Sequence, residues 1–110
     1  MALRVLIVDD DPGFRRIARG VLEAGEIDVV GEAGTGADAV AIARSLRPDG
    51  VLLDVQLPDT DGFTVARALS GLGIPAVLCS VRDYPDGAAV LPKERLSADE
   101  LRRFFGGKSR

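Results

Sequence analysis

Residues 3–12, Leu-Arg-Val-Leu-Ile-Val-Asp-Asp-Asp-Pro, decide the fold class of this chain. Leu3 to Val8 is apolar except for Arg4, a pattern typical of a short strand buried on both faces. Pro12 then marks a helix start, and apolar residues recur on one helical face until Gly25. These residues are Phe14, Ile17, Ala18, Val21 and Leu22. A buried strand followed directly by an amphipathic helix predicts an α/β domain with a parallel sheet.

The same alternation of strand and helix continues along the chain. The sequence predicts further strands at 27–33, 51–54, 76–80 and 88–91, and helices at 36–46, 61–72 and 97–106. We expect Thr35 and Ser97 to cap two of these helices. The last helix is expected to bury Leu101, Phe104 and Phe105. Ligands of such sheets bind outside the carboxyl ends of the strands.

The composition fits one globular domain. A chain of 110 residues with 46% hydrophobic and 28% charged residues can bury one core. We expect the domain to span residues 1–106 and to be followed by a flexible tail, 107–110. The net charge of −3 gives no reason to expect nucleic acid or an anionic membrane as a partner. A single cysteine, Cys79, fits a small core residue and a reducing cytoplasm, so we expect a cytoplasmic protein.

Polar residues collect where the predicted strands end. Asp9 and Asp10 follow the first strand, Asp54 closes the third and Ser80 closes the fourth. Crowded carboxylates repel one another unless a hard cation lies among them, and the chain has no histidine, so we expect Mg²⁺ held by oxygen atoms. Asp54 is then the natural nucleophile for a phosphoryl group, with Ser80 and Lys93 contacting the transferred group.

Each of these residues also has an ordinary structural interpretation. Asp9 and Asp10 could cap the first helix, and Asp54 could cap a loop. Ser80 could be a turn residue, and Lys93 could be a solvated side chain before a helix. The functional interpretation rests on their convergence at one edge of the sheet.

Together these segments resemble the receiver domain of bacterial two-component response regulators over nearly the whole chain. The matching segments are Val8-Asp9-Asp10-Asp11-Pro12, Leu53-Asp54-Val55-Gln56-Leu57-Pro58, Asp61-Gly62, Ser80 and Leu91-Pro92-Lys93. The resemblance implies a flavodoxin-like fold with strand order 2-1-3-4-5. It also implies that Asp9, Asp10 and the backbone carbonyl of Gln56 hold Mg²⁺ with Asp54, and that Gln56 and Arg82 tune the phosphate lifetime. The phosphoryl donor would be a sensor histidine kinase or a phosphotransfer protein.

The chain departs from the family between the fourth and fifth strands. Only seven residues, 81–87, are available, whereas a helical crossover needs about a dozen. We therefore expect the fourth helix to be lost or reduced to a turn. Seven extended residues reach about 23–25 Å, enough for a parallel fifth strand, but a hairpin would carry Lys93 to the opposite edge.

Loss of this helix has two expected consequences. It should uncover apolar side chains on the fourth and fifth strands, and we expect a homodimer or a docked partner there. The candidates are Val77, Leu78, Val90 and Leu91. Val90 also stands where the family has an aromatic switch residue, three positions before the lysine, so the usual output coupling is expected to be altered.

Three classes of function compete. The first is a stand-alone phosphoryl-accepting domain that signals to a downstream protein by direct contacts, since no effector domain follows Gly106, and that turns over no external substrate. The second is a degenerate receiver that serves as a phosphorylation-independent scaffold for binding or dimerisation. The third is a haloacid dehalogenase-type phosphatase, but such enzymes need a second aspartate where this chain has Gln56.

Overall fold

The computed structural model describes residues 2–82 and 90–105, in which strands and helices alternate. The strands are β1 (Arg4–Val8), β2 (Asp28–Ala33), β3 (Gly50–Asp54), β4 (Ala76–Ser80) and β5 (Val90–Pro92). The helices are α1 (Pro12–Ala24), α2 (Gly36–Leu46), α3 (Gly62–Gly71) and α4 (Ala98–Phe105), and a short 3₁₀ helix, Lys93–Arg95, precedes α4. Helix α2 and strand β4 have the predicted bounds. The first two residues predicted for the fifth strand, 88 and 89, lie outside the described residues.

All five strands are parallel and lie in the order β2-β1-β3-β4-β5. The predicted flavodoxin-like sheet is thereby confirmed. Strand β5 pairs in parallel with β4, with Leu91 opposite Cys79. The hairpin alternative is therefore wrong, and Lys93 follows β5 at the same edge of the sheet as the aspartates.

The sheet is covered on both faces because successive strand residues point to opposite sides. Helices α2 and α3 cover one face, where Leu6, Leu53 and Leu69 are fully buried. The core of the other face includes Ile7 from β1, Leu22 from α1 and Leu101 from α4. None of the described helices is both long and apolar enough to cross a bilayer.

Helices α1 and α3 are capped by aspartates other than the three candidate site residues Asp9, Asp10 and Asp54. Asp11, not Asp9 or Asp10, accepts a backbone N–H of the first turn of α1. Asp61, not Asp54, caps α3 in the same way. The helix-capping interpretation of Asp9 and Asp10 is therefore wrong. Asp54 does accept the backbone N–H of Gln56 in the loop that follows β3, so its loop-capping interpretation is compatible with the structure.

The predicted caps of the other two helices are confirmed. Thr35 Oγ1 and Ser97 Oγ each accept a backbone N–H three residues later, at 3.1 Å. Helix α4 packs closely on the start of β3, because a Cβ atom at Gly50 would lie only 2.5 Å from the Phe105 ring. No larger residue fits at Gly50 without displacing that ring.

Some residues predicted to be buried are exposed. Phe104 is 45% exposed, since Leu101 and Phe105 are the α4 residues that face the sheet. Ile17 is 63% exposed and Val21 37%. Each precedes a buried α1 residue by one position, which is about 100° around the helix. The apolar stripe of α1 is therefore narrower than predicted.

Within the described residues, three of the four apolar side chains expected to be uncovered on β4 and β5 are buried. Val77 and Leu91 are buried in the core cluster that includes residues of α4, and Leu78 is buried in the cluster that includes residues of α3. Val90 is half-buried. Because β4 alternates its side chains between two covered faces, little apolar surface remains. The expected shortening of the fourth helix falls mainly on 83–89, outside the described residues.

Candidate functional site

Three strands bring charged side chains to one edge of the sheet. Asp9 directly follows β1, Asp54 ends β3, and Lys93 directly follows β5. Because all strands are parallel, their carboxyl ends meet at this edge. The side chains, distant in sequence, form one cluster.

The acidic cluster fits a divalent cation. One carboxylate oxygen from each of Asp9, Asp10 and Asp54 lies within 4.8 Å of the others. Asp9 is only 1% exposed. Beyond an ion pair with Lys93, its Oδ2 atom has no hydrogen-bond partner in the described parts of the chain. A buried oxygen with spare acceptor capacity beside two further carboxylates is a suitable ligand set for a hard ion such as Mg²⁺.

Lys93 provides the positive charge of the site. Its Nζ atom lies 2.6 Å from Asp9 Oδ2 and 3.8 Å from Asp54 Oδ1. The same ammonium group lies 4.3 Å from the centre of the Phe14 ring, within cation–π range. Burial alone would lower the pKa of Lys93, but the hydrogen bond and attraction of Asp9, with Asp54, outweigh it and raise the pKa. Lys93 is therefore charged and held over the acidic cluster.

The environment of Asp54 disfavours its charge in the absence of a cation. Burial, followed by repulsion from Asp9, raises the pKa of Asp54. Attraction by Lys93 and the backbone amide of Gln56 act in the opposite direction. A cation in the cluster would relieve this repulsion and favour the ionised, nucleophilic carboxylate.

The hydroxyl of Ser80 lies at the same edge. Ser80 is buried at the end of β4, one residue beyond Cys79, which pairs with Asp54 across the strands. Its Oγ atom accepts the backbone N–H of Arg82 at 3.1 Å, which leaves the hydroxyl hydrogen available to donate. The Arg82 backbone is thus beside Ser80, and Arg82 as a whole is exposed.

An open cleft of about 490 Å³ gives access to the cluster. Asp10, Asp54 and Gln56 line it together with the loop that leads to α3. Backbone pairing of Gln56 with Asp61 closes this loop, so the predicted carbonyl ligand and the acidic residues share one wall.

The sequence predictions missed two supporting contacts. Arg15 of α1 donates to the backbone oxygen of Asp9 and to the carboxylate of Glu32 in β2. Asp59, in the loop beside the cleft, accepts the first two backbone N–H groups of α2. Glu32, a charged residue in the interior of strand β2, was the available signal, since a half-buried charge needs a partner.

Cys79 does not contribute a nucleophile. It is buried in the core, and burial raises the pKa of its thiol to about 12. A thiol of that pKa is protonated at neutral pH and unreactive.

The sheet order and the acidic cluster at its carboxyl edge define the class of flavodoxin-like receiver domains. The family model described as the response regulator receiver domain matches residues 5–93. The chain belongs to this family.

Relatives and solved structures agree with this assignment. A protein-glutamate methylesterase/protein-glutamine glutaminase of Anaeromyxobacter dehalogenans is 36% identical over 106 residues, covering 84% of this chain and 31% of the relative. The signal receiver domain of NarL from Mycobacterium tuberculosis has a TM-score of 0.85 at 30% identity, covering 97% of this chain and 98% of that chain. The CheX–CheY–BeF₃–Mg complex from Borrelia burgdorferi has a TM-score of 0.82 at 20% identity, covering 98% and 90%. At that identity the likeness concerns the fold alone.

The curated relatives are longer than this chain. The chain spans 31% of the length of the first relative and 18% of the next two, and the similarity is confined to that part of them.

Proposed function

We propose that this receiver domain accepts a phosphoryl group on Asp54 in a Mg²⁺-dependent reaction. The observation that carries the proposal is the convergence of Asp9, Asp10 and Asp54 within 4.8 Å of one another, with Lys93 Nζ 3.8 Å from Asp54. The donor is the phosphohistidine of a sensor histidine kinase or a phosphotransfer protein. Phosphorylation then changes contacts with a downstream protein.

The chemistry is an exchange at phosphorus. An oxygen of the Asp54 carboxylate forms a bond to the phosphorus atom, and the imidazole nitrogen of the donor leaves with the electron pair of the broken P–N bond. The product is an acyl phosphate on Asp54 and a free histidine on the donor. Mg²⁺, held by Asp9, Asp10, Asp54 and the backbone carbonyl of Gln56, would supply neutralisation of the phosphoryl oxygens.

Two further side chains stabilise the transferred group. Lys93 is charged and lies between Asp9 and Asp54, so it can shift its ammonium group onto a phosphoryl oxygen once Asp9 is otherwise neutralised. The Ser80 hydroxyl can donate to a second phosphoryl oxygen. We assign Gln56 and Arg82 to control of access by the water that hydrolyses the acyl phosphate.

Gln56 argues against a phosphatase that turns over an external substrate. A phosphatase that works through an aspartyl phosphate needs an acid–base group beside the intermediate. An amide at Gln56 cannot take or give a proton in that way. We therefore propose a signalling domain that catalyses only its own phosphorylation and dephosphorylation.

The partners we propose follow from the site and the surface. Among the solved structures with this fold is a CheX–CheY complex with BeF₃ and Mg, which supports magnesium and a beryllofluoride mimic as ligands to test. We propose that the domain works in the cytoplasm and, given its net charge of −3, does not bind DNA itself. The homodimer through β4 and β5 loses its main support, because Val77, Leu78 and Leu91 are buried.

The test is phosphorylation by a small donor. The protein is incubated with acetyl phosphate with and without Mg²⁺, and the intact mass is measured. We expect a gain of one phosphoryl group that requires Mg²⁺ and is absent in Asp54→Ala. The matched control is Asp28→Asn, since Asp28 is an exposed aspartate at the amino end of β2, on the opposite edge of the sheet. If the native protein gains no mass with acetyl phosphate or phosphoramidate, the scaffold function replaces this proposal.

A further inference from the structure

Arg15 connects helix α1 to the turn that carries two of the acidic residues. Its Nη1 atom donates a hydrogen bond of 2.5 Å to the backbone oxygen of Asp9. Its Nε atom donates a hydrogen bond of 3.0 Å to Glu32 Oε1. The Arg15 side chain is only 22% exposed, so both contacts lie largely out of solvent.

The bonded carbonyl determines how two ligand side chains are directed. It belongs to the planar peptide group between Asp9 and Asp10, so its orientation fixes ψ of Asp9 and φ of Asp10. The peptide group on the amino side of Asp9 is already held in place, because the Asp9 backbone N–H donates to Ala33 O at 3.0 Å. Arg15 therefore supplies the remaining restraint on the angle between the Asp9 and Asp10 carboxylates.

Arg15 is itself held in place by an extended ion-pair network. Glu32 accepts from Arg15 on one oxygen and from Arg19 Nε on the other, at 2.7 Å. Arg19 also pairs with Glu23 one turn further along α1, at 3.0 Å. The hydrogen bond from Arg19, with that from Arg15, keeps the pKa of Glu32 below its ordinary value despite burial. A charged Glu32 on β2 thus anchors the guanidinium of Arg15 against a rigid strand.

We propose that Arg15 is a positioning residue for the cation site: it orients the Asp9–Asp10 peptide so that both carboxylates face Asp54. This inference rests on the proposed function, because the cation is the Mg²⁺ of that reaction. Outer groups that orient metal ligands affect metal affinity about 10- to 100-fold. Arg15 contacts the ligand backbone rather than its carboxylate, so the lower end of that range applies.

The test measures the Mg²⁺ dissociation constant by isothermal titration calorimetry, at a temperature where every variant is fully folded by circular dichroism. For Arg15→Gln we expect Mg²⁺ to bind about tenfold more weakly than to the native protein. Arg15→Lys keeps the charge but cannot reach both acceptors with one planar group, so we also expect weaker binding. Arg16→Gln, at the exposed neighbouring position of α1, is the matched control and should bind like the native protein.

The outcomes separate this inference from the proposed function. If the native protein binds Mg²⁺ and both Arg15 variants bind it equally well, Arg15 is only structural and the inference is overturned, whatever the variants do to the melting temperature. Native-like binding by Arg15→Lys alone would show that charge, not orientation, matters, and would also overturn it. If the native protein itself binds no Mg²⁺, the proposed function fails as well. If Arg15→Gln does not fold, the same Mg²⁺ titration is made with Arg15→Lys and with Glu32→Gln. The Glu32 variant removes the carboxylate that anchors Arg15. Native Mg²⁺ affinity in both variants would count against the inference.

Discussion

The ammonium group of Lys93 lies 2.6 Å from Asp9 Oδ2, closer than its 3.8 Å distance to Asp54 Oδ1. The two paired residues follow β5 and β1, and strands β3 and β4 lie between these in the sheet. The ion pair therefore spans the carboxyl edge. Asp9 is almost fully buried, and Lys93 is the counter-charge that lies against its carboxylate.

Replacing Lys93 by methionine should destabilise the cation-free protein. The change leaves Asp9 buried without a counter-charge, and we expect a loss of about 3 kcal/mol in the free energy of unfolding in EDTA. Saturating Mg²⁺ should recover much of this loss, since it neutralises the same carboxylates. Urea unfolding at pH 7 measures both values. An equal loss with and without Mg²⁺ would contradict this prediction, and exposed Arg95→Met serves as the control.

Replacing Asp54 by asparagine should stabilise the cation-free protein. Burial and Asp9 raise the pKa of Asp54, so the folded state binds a proton more tightly than the unfolded chain. Stability from this group is therefore present at low pH and lost as the pH rises through the folded pKa. At pH 7 the ionised side chain is unfavourable, and Asp54→Asn should gain about 0.5–2 kcal/mol.

The pH dependence of this gain is the sharper measurement. In EDTA, the difference between Asp54→Asn and the native protein should shrink as the pH falls towards the ordinary aspartate pKa of 3.8. Mg²⁺ at pH 7 should stabilise the native protein much more than the variant. A variant less stable than the native protein in EDTA at pH 7 would count against the proposed repulsion.

The sequence predicted the fold and the main site because both depend on local patterns. Apolar runs and helical periodicity identify each strand and helix, and the rule that parallel strands end at one edge brings Asp9, Asp54 and Lys93 together. The sequence could not predict how far each helix is rotated on the sheet, nor which side chains distant in sequence pair with one another. The exposed position of Ile17 depends on how far α1 is rotated on the sheet.

The supporting contacts of Arg15 and Asp59 could not be predicted from the sequence for a related reason. Arg15 and Glu32 are 17 residues apart and meet only because α1 returns beside β2. Asp59 reaches the start of α2 across 23 residues. Neither pairing follows from a periodic pattern, since each depends on the packing of two elements whose distance is set by tertiary structure.

Gly62 should tolerate no side chain. A Cβ atom there would lie 2.4 Å from the backbone oxygen of Asp54 and 2.9 Å from Val55 Cα, so the backbone would have to move. We expect Gly62→Ala to lose about 2–3 kcal/mol and to weaken phosphorylation of Asp54. Gly20→Ala is the matched control: Gly20 lies within α1 with nothing within 4 Å, and its replacement should gain about 0.5–1 kcal/mol. Urea unfolding measures the free energy of unfolding of both variants. If Gly62→Ala and Gly20→Ala changed it in the same direction, the steric restriction assigned to Gly62 would be contradicted.

Asp59 should stabilise the protein through its two hydrogen bonds to α2. Its Oδ1 and Oδ2 atoms accept the backbone N–H groups of Gly36 and Ala37, at 2.8 and 3.0 Å. In Asp59→Asn, one oxygen becomes an NH₂ group that faces another donor, so one of these bonds is lost. We expect a lower melting temperature at pH 7, whereas Asp28→Asn, at an exposed position, should melt like the native protein.

The pH dependence of this contact should have the opposite sign to that of Asp54. The backbone hydrogen bonds from Gly36 and Ala37 lower the pKa of Asp59. A lowered carboxyl pKa contributes stability that is present above the unfolded pKa, near 3.8, and is lost as the pH falls through the folded value. The difference in melting temperature between the native protein and Asp59→Asn should therefore narrow below about pH 4, as followed by circular dichroism. If this difference in melting temperature stayed constant down to the lowest pH at which the native protein folds, the charge of Asp59 would not contribute to stability.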